Sequence, residues 1–345
     1  MRAVKAVPAV LMLVLLAFLP YVPQTIPGLL PDRVNGPGSM QLLAVCLTMA
    51  GIALSYDVLF GRTGLLSFGH ALFVAAGSYL LTMSMASWSL PLWLAALLAL
   101  TGTTVLALVV GAISLRVGGI AFAMVTLAFA QAASIIVLRN PGDLTGGEEG
   151  KALTRSGVPD LLVGVANAPY RYWLALAFVV LAWCAVTWLI RSRAGHAMAA
   201  VRENEARAAV LGIDTYRTKL LAVVVGAVVG GLGGVVHAVV LGGSNPHITT
   251  PEFTLSLLVM VVLGGAGSRW GAVLGGFLYT YADARLVELS GTSAFAGLPD
   301  GLRAVLSQPL FILGLLFILV VYFAPAGLTG FASGRRLFIR RRETP

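Results

Sequence analysis

The sequence predicts an all-α integral membrane protein, and three observations carry that expectation. Only 11% of its 345 residues are charged, 58% are hydrophobic, and the mean hydropathy is +0.92. A soluble chain carries roughly a quarter charged residues, so this one lacks the charge to cover a water-facing surface. Apolar runs recur at about the 20 residues that a spanning helix needs. The basic residues are also clustered: Arg191, Arg193, Arg202, Arg207, Arg217 and Lys219 fall in one loop, and Arg335, Arg336, Arg340, Arg341 and Arg342 in the tail. Such clusters fit the cytoplasmic flanks of spanning helices, near anionic lipid, better than a nucleic-acid surface.

Taken in order, the apolar runs place spans at about 6–22, 40–60, 65–86, 90–115, 119–138, 172–190 and 219–241. A broken region follows over about 252–290, and a last span at about 309–325. The first run, after Met1-Arg2-Ala3-Val4-Lys5, has the shape of a signal peptide. Pro20, Pro23 and the lack of a small-residue cleavage site favour a retained span. With the amino terminus in the cytoplasm, six spans return the chain to the cytoplasm at Arg191. The stretch from Arg139 to Tyr170 then lies outside, with three basic against four acidic residues. A cytoplasmic tail requires an even number of crossings, so 252–290 crosses twice or re-enters, for about ten spans. The expected organisation is an N-terminal span and external loop over 1–39, a membrane domain over 40–330 containing a cytoplasmic loop at about 191–219, and a basic tail over 331–345.

Glycine, at 40 residues, is patterned. Gly226, Gly230 and Gly234 recur every fourth residue, a stripe against which a neighbouring helix can pack closely where lipid supplies no hydrophobic drive. Two other segments interrupt apolar runs: Gly61-Arg62-Thr63-Gly64-Leu65-Leu66-Ser67-Phe68-Gly69-His70 and Leu263-Gly264-Gly265-Ala266-Gly267-Ser268-Arg269-Trp270-Gly271. Broken backbone at membrane depth survives only inside protein or along a wet cavity. Ser67, Gly69, His70, Gly264, Gly265 and Gly267, with Gln131 on a nearby span, are therefore the candidates for a translocation path or gate; short surface loops are the plainer reading. In the first segment, Arg62 suggests a cytoplasmic turn, with Asp57 beside it at the loop edge. Gly69, Gly77 and Tyr79 against Gly271, Gly275 and Tyr279 hint at a two-half internal repeat. His237 reads as a headgroup contact, and Cys46 and Cys184 as buried apolar residues.

Catalytic chemistry is not expected. Gly146-Gly147-Glu148-Glu149-Gly150-Lys151-Ala152 fails the spacing of a phosphate-binding loop and has Ala152 where Ser or Thr is needed. No metal-ligand spacing or nucleophile constellation appears, so any energy for transport comes from a partner or an ion gradient.

The segment Arg191–Lys219 is helical in propensity from Ala197 to Leu211, with Gly212 ending the helix. Composition leaves a partner-docking element and a solvated connector equally open. Its Val201-Arg202-Glu203-Asn204-Glu205 and Leu211-Gly212-Ile213 resemble the ATPase-coupling loop of ABC importer permeases, specifically the LivM-like subunit of the branched-chain amino acid permease family. The Gly61–His70 segment, Val125-Thr126-Leu127-Ala128-Phe129, Leu144-Thr145-Gly146-Gly147 and the Val261–Gly271 segment resemble further stretches of that family, in the same order. The resemblance implies a permease importing branched-chain amino acids, with Val201–Glu205 and Leu211–Ile213 seated in an ATPase groove. The external Thr145, Gly146 and Gly147 would face a binding protein or the substrate entrance. It further implies a second homologous permease, two cytoplasmic ATPases that use the ATP, an extracytoplasmic substrate-binding protein, no cofactor on this chain, and a bacterial plasma membrane with both termini inside. Urea or short-amide import is the alternative within the family, and an ATPase-independent channel or ion-coupled carrier the alternative outside it.

Overall fold

A computed structural model describes residues 14–25, 30–290, 308–324 and 327–332. Most of the expected first span and the whole basic tail beyond Ala332 lie outside these residues. Among the described residues the fold is all-α apart from a two-residue ladder and an isolated antiparallel bridge between Thr25 and Arg33. The helices are α1 (Pro37–Asp57), α2 (His70–Trp88), α3 (Leu92–Ser114), α4 (Ile120–Arg139), α5 (Ala168–Arg191), α6 (Arg193–Glu203), α7 (Glu205–Val210), α8 (Thr215–Leu241), α9 (Pro251–Gly264), α10 (Arg269–Ser290), α11 (Pro309–Phe323) and α12 (Gly327–Ala332).

Seven described segments are long and apolar enough to cross a bilayer. The broken region is a hairpin: α9, with 14 residues, is too short for a full crossing. α10 is long enough but carries Arg269, Asp283, Arg285 and Glu288. Gly265 and Gly267, both at positive φ, make the turn between them. The loop 191–219 marks one end of the bundle, called here the basic end; the opposite end is covered by residues 140–167 and is called the cap end.

Burial sorts the helices. The most apolar stretch of α1 with its extension is 89% buried and that of α8 78%, against 28% for α3 and 33% for α4. α1 and α8 are thus the core, and α3, α4 and α11 turn Leu97, Val109, Ile135, Ile136 and Ile318 outward, as a lipid-facing surface requires. α8 can occupy the centre because it lacks bulk on three sides. Gly226 and Gly230 lie against Leu59, Ser55 and His70, Gly231 against Thr103, and Gly233 against Ile52 and Phe178. The tightest approach is to α2, where a Cβ on Gly77 would overlap the Gly231 carbonyl and one on Gly234 the Val74 carbonyl.

The cap end is held by hydroxyls and a short ladder. β1 (Lys151–Ala152) pairs antiparallel with β2 (Gly243–Ser244). Ser244 Oγ lies 2.7 Å from Ser78 Oγ and 3.0 Å from Thr82 Oγ1, all three buried. Residues 14–18 pack on α5, where Tyr172 Oη donates to the Leu16 carbonyl at 2.8 Å and Trp173 Nε1 to that of Ala17 at 3.2 Å. Near the basic end Arg269 lies 5.1 Å over the Trp183 ring, which tilts against Trp270, fixing the start of α10 to α5.

Three readings need correction. Gly61 does not open a turn, because α1 continues through a π-helical segment, Val58–Thr63, and the helix stops only at Gly64 with φ +75°. Cys184 is exposed on α5 rather than buried; Cys46 is buried. His237 is only 6% exposed, so it is packed inside the bundle rather than on its surface.

A Gly234→Val substitution would drive two methyls into the α2 backbone, which cannot move aside as a side chain could. Its expected cost is at or above the upper end of about 1–3 kcal/mol, seen as a lower thermal midpoint or loss of monodisperse protein in detergent. Gly242→Ala, where a Cβ meets nothing within 4 Å but φ is +80°, should cost about 1 kcal/mol.

Candidate functional site

The two glycine-rich breaks meet each other and the basic loop at one point. Asp57, on the last turn of α1, is fully buried. Its Oδ1 accepts the Gly267 N–H at 2.7 Å, and its Oδ2 lies 3.8 Å from Arg62 Nε. From the loop, Arg202 on α6 reaches inward and donates through Nη1 to the Gly61 carbonyl. Any Cβ on Gly61 would overlap the Asp57 carboxylate and the Gly267 amide; one on Gly267 would crowd the Arg202 guanidinium. Glycine at both positions lets a carboxylate, two guanidinium groups and two backbone segments share one small volume. Asp57 is therefore no loop-edge residue. It is the group that joins the breaks across 210 positions of sequence, and nothing local in the sequence announces that partner.

The first break is satisfied from inside the chain. Tyr56 Oη donates to the Ser67 carbonyl at 3.0 Å, and the Phe68 N–H to Thr126 Oγ1 at 3.2 Å. The Gly69 N–H donates to Ser67 Oγ at 3.2 Å and the Ala71 N–H to Thr254 Oγ1 at 3.0 Å. The three amides are engaged by α4, by Ser67 itself and by α9, and are not open to a zwitterion. His70 is fully buried, with Nε2 2.8 Å from Ser55 Oγ and its ring edge-on to Tyr56 and Phe73. It sits where α1, α2 and α8 meet, beside Gly230, as a packing and hydrogen-bonding pivot. In the second break, the Gly264 carbonyl accepts from Thr329 Oγ1 at 2.9 Å, and the Gly265 N–H donates to Val261 O at 3.0 Å.

Gln131 is not brought together with these residues. It lies on the exposed face of α4 among Ala128, Ala132 and Ile135, whereas Thr126 and Ser134 face the bundle.

The loop expected to be one helix from 197 to 211 is two. Asn204 leaves the helical region and its Oδ1 caps α7 by accepting the Arg207 N–H at 2.9 Å. Ser192 and Asp214 cap α6 and α8 in the same way. Met198, Val201 and Ala208 are buried against the bundle, so Val201 is not a free docking residue. Glu205 pairs with Lys219. Residues 202–207 and 209–212 are exposed, Glu203 among them, and the apolar part of that surface is a tip formed by Val210, 88% exposed, and Leu211, 74% exposed. Gly212, at φ +84°, and the half-buried Ile213 then lead the chain back to α8.

At the cap end, Asn140, a residue the sequence reading passed over, organises the Thr145-Gly146-Gly147 segment. Its Oδ1 accepts the Thr145 and Gly146 N–H groups, both at 2.9 Å, while Thr145 Oγ1 donates to the Val137 carbonyl at 2.7 Å. Thr145 and Gly147 are buried, leaving Glu148 and Glu149 exposed. Among the described residues no group of three or more His, Cys, Asp or Glu side chains could hold a metal.

Residues 39–324 match the family model described as the branched-chain amino acid transport system permease component. The chain is 29% identical over 263 residues to the high-affinity branched-chain amino acid transport system permease protein LivM of Salmonella typhimurium, covering 70% of this chain and 62% of that protein. It is 31% identical over 251 residues to LivH of Escherichia coli, covering 69% and 81%. It is 29% identical over 325 residues to BraD of Pseudomonas aeruginosa, covering 87% and 95%. The match thus spans about three-fifths of the LivM relative's length.

Asp57→Ala should leave the part-buried Gly267 N–H without its acceptor, at a cost of about 1–3 kcal/mol. Asp57→Asn, which keeps an acceptor, should cost less. Comparison of their thermal midpoints in detergent checks the ranking; equal midpoints for Asp57→Ala and the parent would show that this contact does not hold the breaks together.

Proposed function

Because the chain belongs to the branched-chain amino acid transport permease family, we propose that it is a permease subunit of an ATP-driven importer for branched-chain amino acids. The observation that carries this reading is the basic loop: it offers an exposed Val210–Leu211 tip to a partner while Arg202, on the same loop, holds the junction of both breaks. A partner that moves the tip must load that junction, because α6 and α7 are short helices joined through one cap residue.

In this reading the basic end is cytoplasmic, consistent with the positive-inside rule, and the membrane is a bacterial plasma membrane. Two ATPases dock at Glu203, Val210 and Leu211 and use ATP; this chain binds no nucleotide. Arg202 and Asn204 act from within the loop, one as a tether and one as a cap. The exposed α4 face bearing Gln131 turns toward a second, homologous permease, since a primary amide in an otherwise apolar face at membrane depth needs polar surroundings. The solute path then runs between the two permeases, and Ser67, Gly69, His70, Gly264, Gly265 and Gly267 govern it from behind as parts of the moving frame. The cap loop, with Glu148 and Glu149 exposed, receives a substrate-binding protein.

Labelled leucine uptake, in host cells with and without the gene, tests the substrate. Gene-dependent uptake competed by valine and not by urea is the expected result; uptake unchanged by the gene, in cells without a redundant importer, would turn the reading to urea or short amides. For the loop, Glu203→Ala with Leu211→Asp should cut uptake at least about tenfold, equivalent to about 1.4 kcal/mol of lost coupling, while ATP hydrolysis persists. Normal uptake in the double variant would refute docking at this tip.

A further inference from the structure

We propose that the cap-end cavity between α1, α8, α9, α10 and α11 binds one membrane phospholipid whose headgroup carries a primary ammonium. The cavity has a volume of about 790 Å³. Its lining is graded along the bilayer normal. Asn245, His247, Glu252 and Gln308 border it at the ends of α8, α9 and α11 nearest the cap, with Asp283 two turns before the end of α10. One turn deeper stand Ser256, Tyr279 and Thr280, and below them the walls are Val45, Met49, Val259, Met260 and Phe317. Glu252 and Met260 are eight residues apart on one helix, a separation of about 12 Å. A polar mouth at headgroup level over an apolar shaft matches an amphiphile standing upright, not a freely soluble solute.

The mouth also specifies charge. Two carboxylates, Glu252 and Asp283, favour a cation. His237 forms part of the wall, is only 6% exposed, and has an Nδ1 with no hydrogen-bond partner among the described residues. An orphaned buried nitrogen is costly unless a ligand or water meets it. Carboxylates for an ammonium, and imidazole and amide donors for an adjacent anionic oxygen, together complement a phosphoethanolamine zwitterion. A free amino acid shares the ammonium and the anionic oxygen. The rim favours lipid: Leu255 on it is 46% exposed, and the neighbouring α11 turns Phe311, Leu315 and Ile318 outward, so apolar surface suited to the bilayer borders the cavity.

The inference does not depend on which solute is transported, and one labelling experiment tests it. The full-length chain is placed in phosphatidylcholine nanodiscs doped with phosphatidylethanolamine bearing a photoreactive acyl chain, with a matched phosphatidylcholine probe in parallel. Labelling is expected on peptides covering residues 255–260 and 313–317, selective for the ethanolamine probe and unaffected by excess leucine. Glu252→Gln with Asp283→Asn should reduce it about tenfold, as expected for lost charge-assisted hydrogen bonds. Gly314 lines the cavity and a Cβ there meets nothing within 4 Å, so Gly314→Trp should block labelling and Gly314→Ala should not, both with an unchanged thermal midpoint. Equal labelling by both probes would mean ordinary bilayer contact and overturn the proposal. Competition by leucine would make the cavity a solute site, and labelling that survives both Gly314→Trp and the carboxylate pair would place the lipid elsewhere; either result also overturns it.

Discussion

The architecture depends on how closely α8 can approach its neighbours. Lipid tails are as apolar as the helices they surround, so helix association draws on dispersion and internal hydrogen bonds rather than on water exclusion. Dispersion falls steeply with separation, and a central helix with ordinary side chains would hold α1, α2 and α3 too far apart to gain it. Glycine removes that spacing. Along α8, Gly226, Gly230, Gly231, Gly233 and Gly234 open different sides of one helix to different neighbours, which is why α8 can be central without a polar or aromatic core of its own. α1 completes the centre from the other direction, with bulk: Tyr56, Ile52 and Leu54 are fully buried.

Once the centre is this tight, broken backbone beside it needs partners for its polar groups from the surrounding helices. The first break draws a hydroxyl or phenol from each of α1, α4 and α9, and the second draws a carboxylate from α1 and a hydroxyl from α12. The donors come from distant parts of the chain, so the breaks form only after the helices around them have assembled. Asp57 is the extreme case: a carboxylate taken out of water beside two arginines and a backbone amide. A charge in that position is tolerable because opposite charges and a donor surround it, and those partners come from three separate segments.

Much of this was legible in advance. The spans at about 40–60, 90–115, 172–190 and 219–241 coincide with helices of the structure to within a few residues, because long apolar runs carry an unambiguous signal, and the Leu263–Gly271 segment does turn the chain between two helices. Legibility ended where one residue type serves several geometries. Gly61 reads as a helix breaker, yet it stays helical because its missing Cβ makes room for Asp57 and Gly267. Ala-rich composition suggested one helix over 197–211, whereas Asn204 interrupts it by capping, an outcome of local hydrogen bonding that average propensity does not register. Gln131 and His70 looked alike as polar residues within spans; the structure puts one on an outer face and the other at the centre, and only the burial pattern of the surrounding helix separates them. Asn140 was missed because a side chain that organises its own following loop resembles any polar loop residue.

The two ends of the bundle are tied by different chemistry, and that difference bears on how motion would travel. The cap end is closed by short neutral contacts, the Ser78–Ser244–Thr82 hydroxyls and the β1–β2 ladder. The basic end is closed by charge, through Asp57, Arg62 and Arg202. Between them, α2 and α8 approach backbone to backbone at Gly77 and Gly234, contacts in which neither glycine has a side chain that must change rotamer. A displacement applied to the loop at Val210 and Leu211 therefore reaches a junction whose energy depends strongly on distance and geometry, then a smooth helix contact, and finally an end fixed by hydroxyls. The end that a partner can load is the end where small shifts change the most electrostatic energy, and the glycine contacts between the ends are those that can transmit such shifts with the fewest rotamer changes.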